Sequence, residues 1–177
     1  MRFVPLKIAG VFVVEATPNL DARGHFTRVF CAEEFAAAGI GFATAQINIS
    51  GNAKRHTLRG LHYQNPPHAE AKFVRAVRGR AYDVVVDLRT ASVTHRQWVA
   101  VELDARMTNA LFVPEGCAHG FLTLEDDTDI LYQMGRPFVA GAGQGVRWND
   151  PAFAIAWPAS PAVISDRDAT YPDYRNG

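Results

Sequence analysis

Short runs of β-branched and aromatic residues recur along this chain with barely room for a helix between them. They include Val11–Val14, Phe26–Phe30, Ala45–Ile49, Lys72–Val77, Tyr82–Leu88, Gln97–Leu103, Ala110–Val113, Phe121–Leu124 and Ile130–Met134. Val, Ile, Phe and Tyr suit a pleated, half-buried surface, and turn-forming residues separate the runs. Only Ala32–Ala38, rich in Ala and Glu and followed by Gly39, reads as a helix. Asp104–Thr108 has room for one further turn, and the Gly- and Pro-rich stretch from Pro137 onward reads as loops and short helical turns. Many short strands at close spacing with so little helix predict an all-β sandwich or barrel.

The length of 177 residues fits one domain, residues 1–177, with a sizeable core. Basic and acidic side chains balance at 18 each, so no overall charge favours nucleic acid or a membrane surface. An anionic ligand then has to be held by a local cluster of Arg and Lys. No stretch is long and apolar enough to cross a membrane, and the N-terminus lacks the pattern of a signal peptide. Cys31 and Cys117 do not make a disulfide framework, and a cytoplasmic location is expected.

Chemistry concentrates in a few segments. Arg59-Gly60-Leu61-His62-Tyr63-Gln64-Asn65-Pro66-Pro67 sets a guanidinium and an imidazole three residues apart on a strand. Strict alternation puts them on opposite faces; a bulge at Gly60 would bring them together. A surface Arg and a hydrogen-bonded structural His are the plain alternative. Pro114-Glu115-Gly116-Cys117-Ala118-His119-Gly120-Phe121 feeds a His into a strand start, like half of a metal-binding signature. The other half supplies only His62, so the ligand set is short and no metal is expected. His119 could equally serve the turn. Lys72 opens a strand and reads as a rim residue or as a cation for an oxyanion. Tyr132 reads as packing or as an acid. Ser165-Asp166-Arg167-Asp168 reads as a solvated turn or as a carboxylate that orients a histidine.

Taken in order, the segments Asp21-Ala22-Arg23-Gly24-His25-Phe26, Gln46-Ile47-Asn48-Ile49-Ser50, Arg59 to Gln64, Lys72 to Arg75 and Asp83 to Arg89 form a pattern. It continues through Pro114 to Phe121, Tyr132, Trp148-Asn149-Asp150-Pro151 and Ile155-Ala156-Trp157-Pro158, and closes on Ser165 to Asp168. The chain resembles the dTDP-4-dehydrorhamnose 3,5-epimerase family over nearly its whole length. That resemblance implies a cupin or jelly-roll β-barrel with short peripheral helices, a homodimer, no cofactor, and a nucleotide-diphosphate sugar as substrate. It implies His62 as base, Asp168 as its orienting carboxylate, Tyr132 as acid on the opposite face, and Lys72 as the cation beside an enolate. It implies Arg23, Phe26, Gln46, Asn48, Arg59 and His119 as substrate contacts.

Several positions depart from the family pattern. Arg28 stands where a Glu is usual, Phe138 where a second aromatic hydroxyl is frequent, and Arg167 where Lys is usual; the stretch around Gln144 lacks an expected Glu. Arg28, Phe138 and Arg167 are therefore candidate substrate contacts of altered chemistry, Arg28 having a surface ion pair as its alternative. The expected reaction is epimerisation of a nucleotide-linked 4-keto-6-deoxyhexose at C3, C5 or both. A ketoisomerase or a non-catalytic sugar-nucleotide binder on the same barrel is the alternative.

Overall fold

A computed structural model describes residues 1–175. Thirteen strands and two short helices follow one another in the order β1 (Arg2–Pro5), β2 (Phe12–Glu15), β3 (Asn19–Asp21), β4 (Gly24–Phe26), α1 (Ala32–Ala37), β5 (Gln46–Asn52) and β6 (Leu58–Gln64). They continue with β7 (Lys72–Arg78), β8 (Arg80–Asp87), β9 (Trp98–Asp104), β10 (Asn109–Val113), β11 (Cys117–Thr123), β12 (Thr128–Met134), β13 (Gly143–Gly145) and α2 (Asp166–Ala169). One sheet has six strands in the order β1-β2-β10-β7-β12-β5, the other five in the order β13-β6-β11-β8-β9. Neighbours are antiparallel throughout. This is the all-β, jelly-roll architecture that the strand pattern and the resemblance imply.

The alternation of side chains explains why the two sheets face each other. Along β10, Leu111 and Val113 join a core built from both sheets, with Val74, Ile130, Val85, Leu103 and Phe121. Their neighbours Ala110 and Phe112 point the other way, as period-two geometry requires. There they meet Phe73, Phe35 and Phe42 in a second core under α1. Phe35 is fully buried and contacts the rings of Phe3, Phe30, Phe42, Phe73 and Phe112 at centroid distances of 4.9–6.0 Å. A third core covers the outside of the five-stranded sheet, where Leu61, Val84, Val86 and Ala118 lie under Phe153, Trp148 and Trp157. Both outer faces are thereby covered, which is why Val84–Val86 reads as an unbroken apolar run rather than an alternating one.

Some expectations shift. The run Phe26–Phe30 is not one strand: only Gly24–Phe26 pairs, with β3, and Phe30 turns into the aromatic cluster beneath α1. Asp104–Thr108 is a turn that links β9 to β10, with Thr108 at φ +51°, not a helical turn. The Gly-rich stretch after Pro137 contributes β13, paired with β6 through Gly143–Gln64 and Gly145–His62. The sequence signal there was composition without side-chain alternation, so a strand was not legible. Among the described residues, no helix is long and apolar enough to cross a membrane.

Candidate active site

A cavity of about 730 Å³ opens between the two sheets, within the size range of small-molecule pockets. β5 contributes Gln46, Asn48 and Ser50, and β6 contributes Arg59, His62 and Gln64. Lys72 opens β7 and Glu70 lies just before it, Tyr132 and Met134 come from β12, and Phe138 and Gly143–Gln144 from beyond it. The C-terminal segment closes the remaining side with Ser165, Arg167 and Asp168.

The β6 wall depends on a register irregularity. His62 faces His119 on β11, and Arg59 faces Phe121, so β6 takes one step more than its partner between these pairs. The extra residue puts Arg59 and His62 on the same face, as a bulge does. Gly60 makes this possible: its φ is +120°, and a Cβ there would lie 2.6 Å from Gly120 Cα and 2.8 Å from the His119 carbonyl oxygen. Arg59 is steadied by hydrogen bonds to Asn52 Oδ1 at 2.8 Å and to the Gly51 carbonyl at 3.3 Å.

His62 Nε2 lies 2.8 Å from Asp168 Oδ1. Asp168 is buried, and its Oδ2 accepts from the backbone N–H of Gly60 at 3.0 Å. Burial alone pushes its carboxyl up; the His62 ring and the Gly60 N–H outweigh that and hold it below the usual carboxylate range. With the carboxylate on Nε2, the ring carries its hydrogen there and leaves the Nδ1 lone pair free. Asp168 is placed by α2. Ser165 caps that helix by accepting from the Asp168 N–H at 3.1 Å, while the Asp168 carboxylate turns away to His62. A parallel bridge between Thr57 and Val163 ties the approach to α2 against β6.

Tyr132 stands on the other sheet. Its ring packs edge-on to His119 with centroids 5.8 Å apart and tilts against Phe121 at 6.4 Å. Its hydroxyl has no hydrogen-bond partner in the protein among the described residues. Burial, reinforced by the negative charge of Asp83 and eased a little by Arg59, pushes the phenol well above its usual range. It therefore stays protonated at any physiological pH.

Lys72 lines the same cavity and is buried, but its ammonium is engaged by the carboxylate of Glu70. Burial pushes the Lys72 amine down, and Glu70 counters that. Glu70 was not singled out from the sequence, although an acid two residues before Lys72 falls on the same face at strand spacing.

The other expected contacts divide. Gln46, Asn48, Arg59, Phe138 and Arg167 line the cavity. Gln46 bonds Asn48 at 3.0 Å and accepts from the Phe138 N–H at 3.1 Å, and Arg167 donates to the Gly143 carbonyl at 3.2 Å. His119 does not reach the cavity. It is buried behind Tyr132, its Nε2 2.8 Å from Asp83 Oδ1, and it backs the wall that Tyr132 presents to the cavity. Arg23 and Phe26 sit on the exposed β3–β4 hairpin, away from this cavity; Arg23 pairs with Asp21, and Phe26 is 76% exposed. Arg28 also lies outside the cavity and forms an ion pair with Glu34 at 3.2 Å, the plainer of its two readings. Among the described residues, no three His, Cys, Asp or Glu side chains gather into a group that could hold a metal.

Comparison with known proteins places this geometry. The dTDP-4-dehydrorhamnose 3,5-epimerase family matches over residues 5–176. The chain is 40% identical over 173 residues to the dTDP-4-dehydrorhamnose 3,5-epimerase of Sinorhizobium fredii, covering 97% of this chain and 89% of that one. The crystal structure of the Bacillus anthracis dTDP-4-dehydrorhamnose 3,5-epimerase with TDP and pyrophosphate bound superposes with a TM-score of 0.95 at 35% identity, over 98% of this chain and 99% of that one. A 3'-monoepimerase from Streptomyces bikiniensis, in complex with dTDP-quinovose, gives a TM-score of 0.89 at 36% identity, over 96% and 86% of the two chains.

These likenesses define the class of protein as a carbohydrate epimerase, an isomerase. The chain belongs to the dTDP-4-dehydrorhamnose 3,5-epimerase family.

Proposed function

We propose that this enzyme inverts C3, C5 or both of a dTDP-linked 4-keto-6-deoxyhexose through an enolate, with His62 as base and Tyr132 as acid. One observation carries the reading: the imidazole and the phenol come from different sheets and line one cavity. Inversion requires a proton to leave one face of a carbon and another to arrive at the opposite face. Two groups on facing walls meet that requirement, whereas a single base returns the proton where it took it.

In this mechanism, the free Nδ1 of His62 takes a proton from a carbon beside the C4 ketone. The electron pair of that C–H bond moves to the ketone oxygen, and Lys72 stabilises the charge as it grows. Asp168 holds the imidazole in its tautomer and stabilises the imidazolium. The electron pair then returns to carbon, which takes the hydroxyl proton of Tyr132 on the other face. Solvent resets the two groups. Arg59 and Arg167 offer guanidinium groups at the rim for the diphosphate, and thymidine as the nucleoside follows from the names of the relatives.

A homodimer belongs to the same reading. The β3–β4 hairpin projects with Leu20, Phe26 and Arg23 exposed, and the edge strand β5 exposes Ile47 and Ile49. A second copy would cover these apolar side chains and bring Arg23 and Phe26 to its partner's cavity. Free Cys31 and Cys117 suit a cytoplasmic setting.

Proton NMR of the dTDP-4-keto sugar in heavy water tests the reaction. Deuterium at C3 or C5 with the C4 ketone retained is expected; carbonyl migration would favour a ketoisomerase, and no exchange a binding protein. Tyr132→Phe should impair inversion more than exchange, because proton removal at His62 survives. Equal loss of both would remove Tyr132 from its role.

A further inference from the structure

Glu70 stands out in this site because its bonding is incomplete. Its side chain is buried and lines the cavity. One carboxylate oxygen engages the Lys72 ammonium. The other, Oε2, is closed off and has no hydrogen-bond partner. Native proteins rarely leave a buried carboxylate oxygen bare, and such an atom on the wall of a cavity points to a donor supplied by the ligand that the cavity takes. The terminal torsion of Glu is soft, so a small rotation turns Oε2 into the cavity while Lys72 stays bound.

The substrate in the preceding reading, on which this inference rests, carries a matching pair. Its C4 ketone is an acceptor, and the hydroxyl on C3 beside it is a donor. Lys72 and Glu70, in contact with each other, offer a donor and an acceptor in the complementary order. We propose that Glu70 is a specificity-determining residue that reads the α-hydroxy ketone together with Lys72, accepting from the C3 hydroxyl while Lys72 donates to the C4 oxygen. When the sugar enolises towards C3, both oxygens lie in the plane of the new double bond, so the paired contact is kept as charge builds on the C4 oxygen. The carboxylate also sets the ground-state charge beside the ketone close to neutral, so the ammonium does not sit as a bare buried cation before substrate arrives.

The test compares two compounds on three enzymes. Deuterium wash-in beside the ketone is measured for the dTDP-4-keto-6-deoxyhexose and for its 3-deoxy analogue, which keeps exchangeable protons on both flanking carbons. Wild type, Glu70→Gln and Glu70→Ala are assayed, with melting curves to confirm folding; Glu70→Gln keeps the shape of the side chain. The intrinsic acidity of each compound is common to all three enzymes and cancels in the comparison. The preference in kcat/KM for the hydroxylated compound should fall by roughly ten- to a hundredfold in both variants, the worth of a hydrogen bond to a charged group. A preference that is unchanged across the three, whatever the absolute rates, makes Glu70 a structural partner of Lys72 and overturns the assignment. No wash-in by wild type from either compound would instead sink the epimerase reading, and Glu70's role with it.

Discussion

Asp168→Asn separates the chemistry of the base from the stability of the fold. In the native site the carboxylate accepts twice, from His62 at 2.8 Å and from the Gly60 N–H at 3.0 Å. The Gly60 N–H fixes how an amide would sit: its oxygen must face Gly60, so its NH₂ faces His62. A donor pointed at Nε2 forces the imidazole's proton arrangement to reverse, with hydrogen on Nδ1 and the lone pair on Nε2. The cavity-facing nitrogen then has no lone pair to take a substrate proton. General-base function of this kind contributes about 10²–10⁴-fold, and a wrong tautomer forfeits most of it, so wash-in should slow by about 10³–10⁴-fold, or roughly 4–5.5 kcal/mol of barrier. Stability should change by only about 1 kcal/mol, because both hydrogen bonds survive in neutral form. Asp168→Ala, in contrast, leaves the Gly60 N–H bare and should cost about 2–4 kcal/mol of stability. The assay is deuterium exchange under single-turnover conditions, paired with urea unfolding of both variants. Asp168→Asn that exchanges within tenfold of wild type would refute the tautomer argument.

Gly60→Ala should unfold more readily by about 2–4 kcal/mol, since its Cβ meets backbone atoms on β11 at a positive φ; urea midpoints measure it, and a shift under 1 kcal/mol would count against the bulge. Phe35→Ala removes the hub of the aromatic core and should cost about 3–5 kcal/mol, visible as a lowered Tm with exchange kinetics intact below the transition. The depressed carboxyl of Asp168 has a signed consequence in acid. Its stabilising contribution is present above the unfolded value of 3.8 and is lost as pH falls through the lower folded value, so wild type should lose its advantage over Asp168→Asn only below about pH 4 in paired melts.

Much of this was legible in the sequence because its causes are local. The β-branched runs announce β7 to β10, and the Gly between Arg59 and His62 announces the bulge that unites them. Other features depend on distant partners. Nothing local says that His119 will be claimed by Asp83 on the adjacent strand and so withdrawn from the cavity. β13 has two glycines in three residues and offers no side-chain period to read. Phe26–Phe30 has the composition of a strand, but the cluster around Phe35 draws Phe30 away from the hairpin. Arg23 and Phe26 carry the family pattern on an exposed hairpin that does not line the cavity of the same chain.

The contact between Ser165-capped α2 and β6 joins the last helix of the described chain to a strand formed much earlier in the sequence. His62 and its carboxylate are 106 positions apart, and every barrel strand lies between or before them. The sheets can therefore pair and the cores fill while the base is still unoriented. On the proposed roles, a chain in which this short stretch is undocked would keep its barrel and lose only the carboxylate that orients His62.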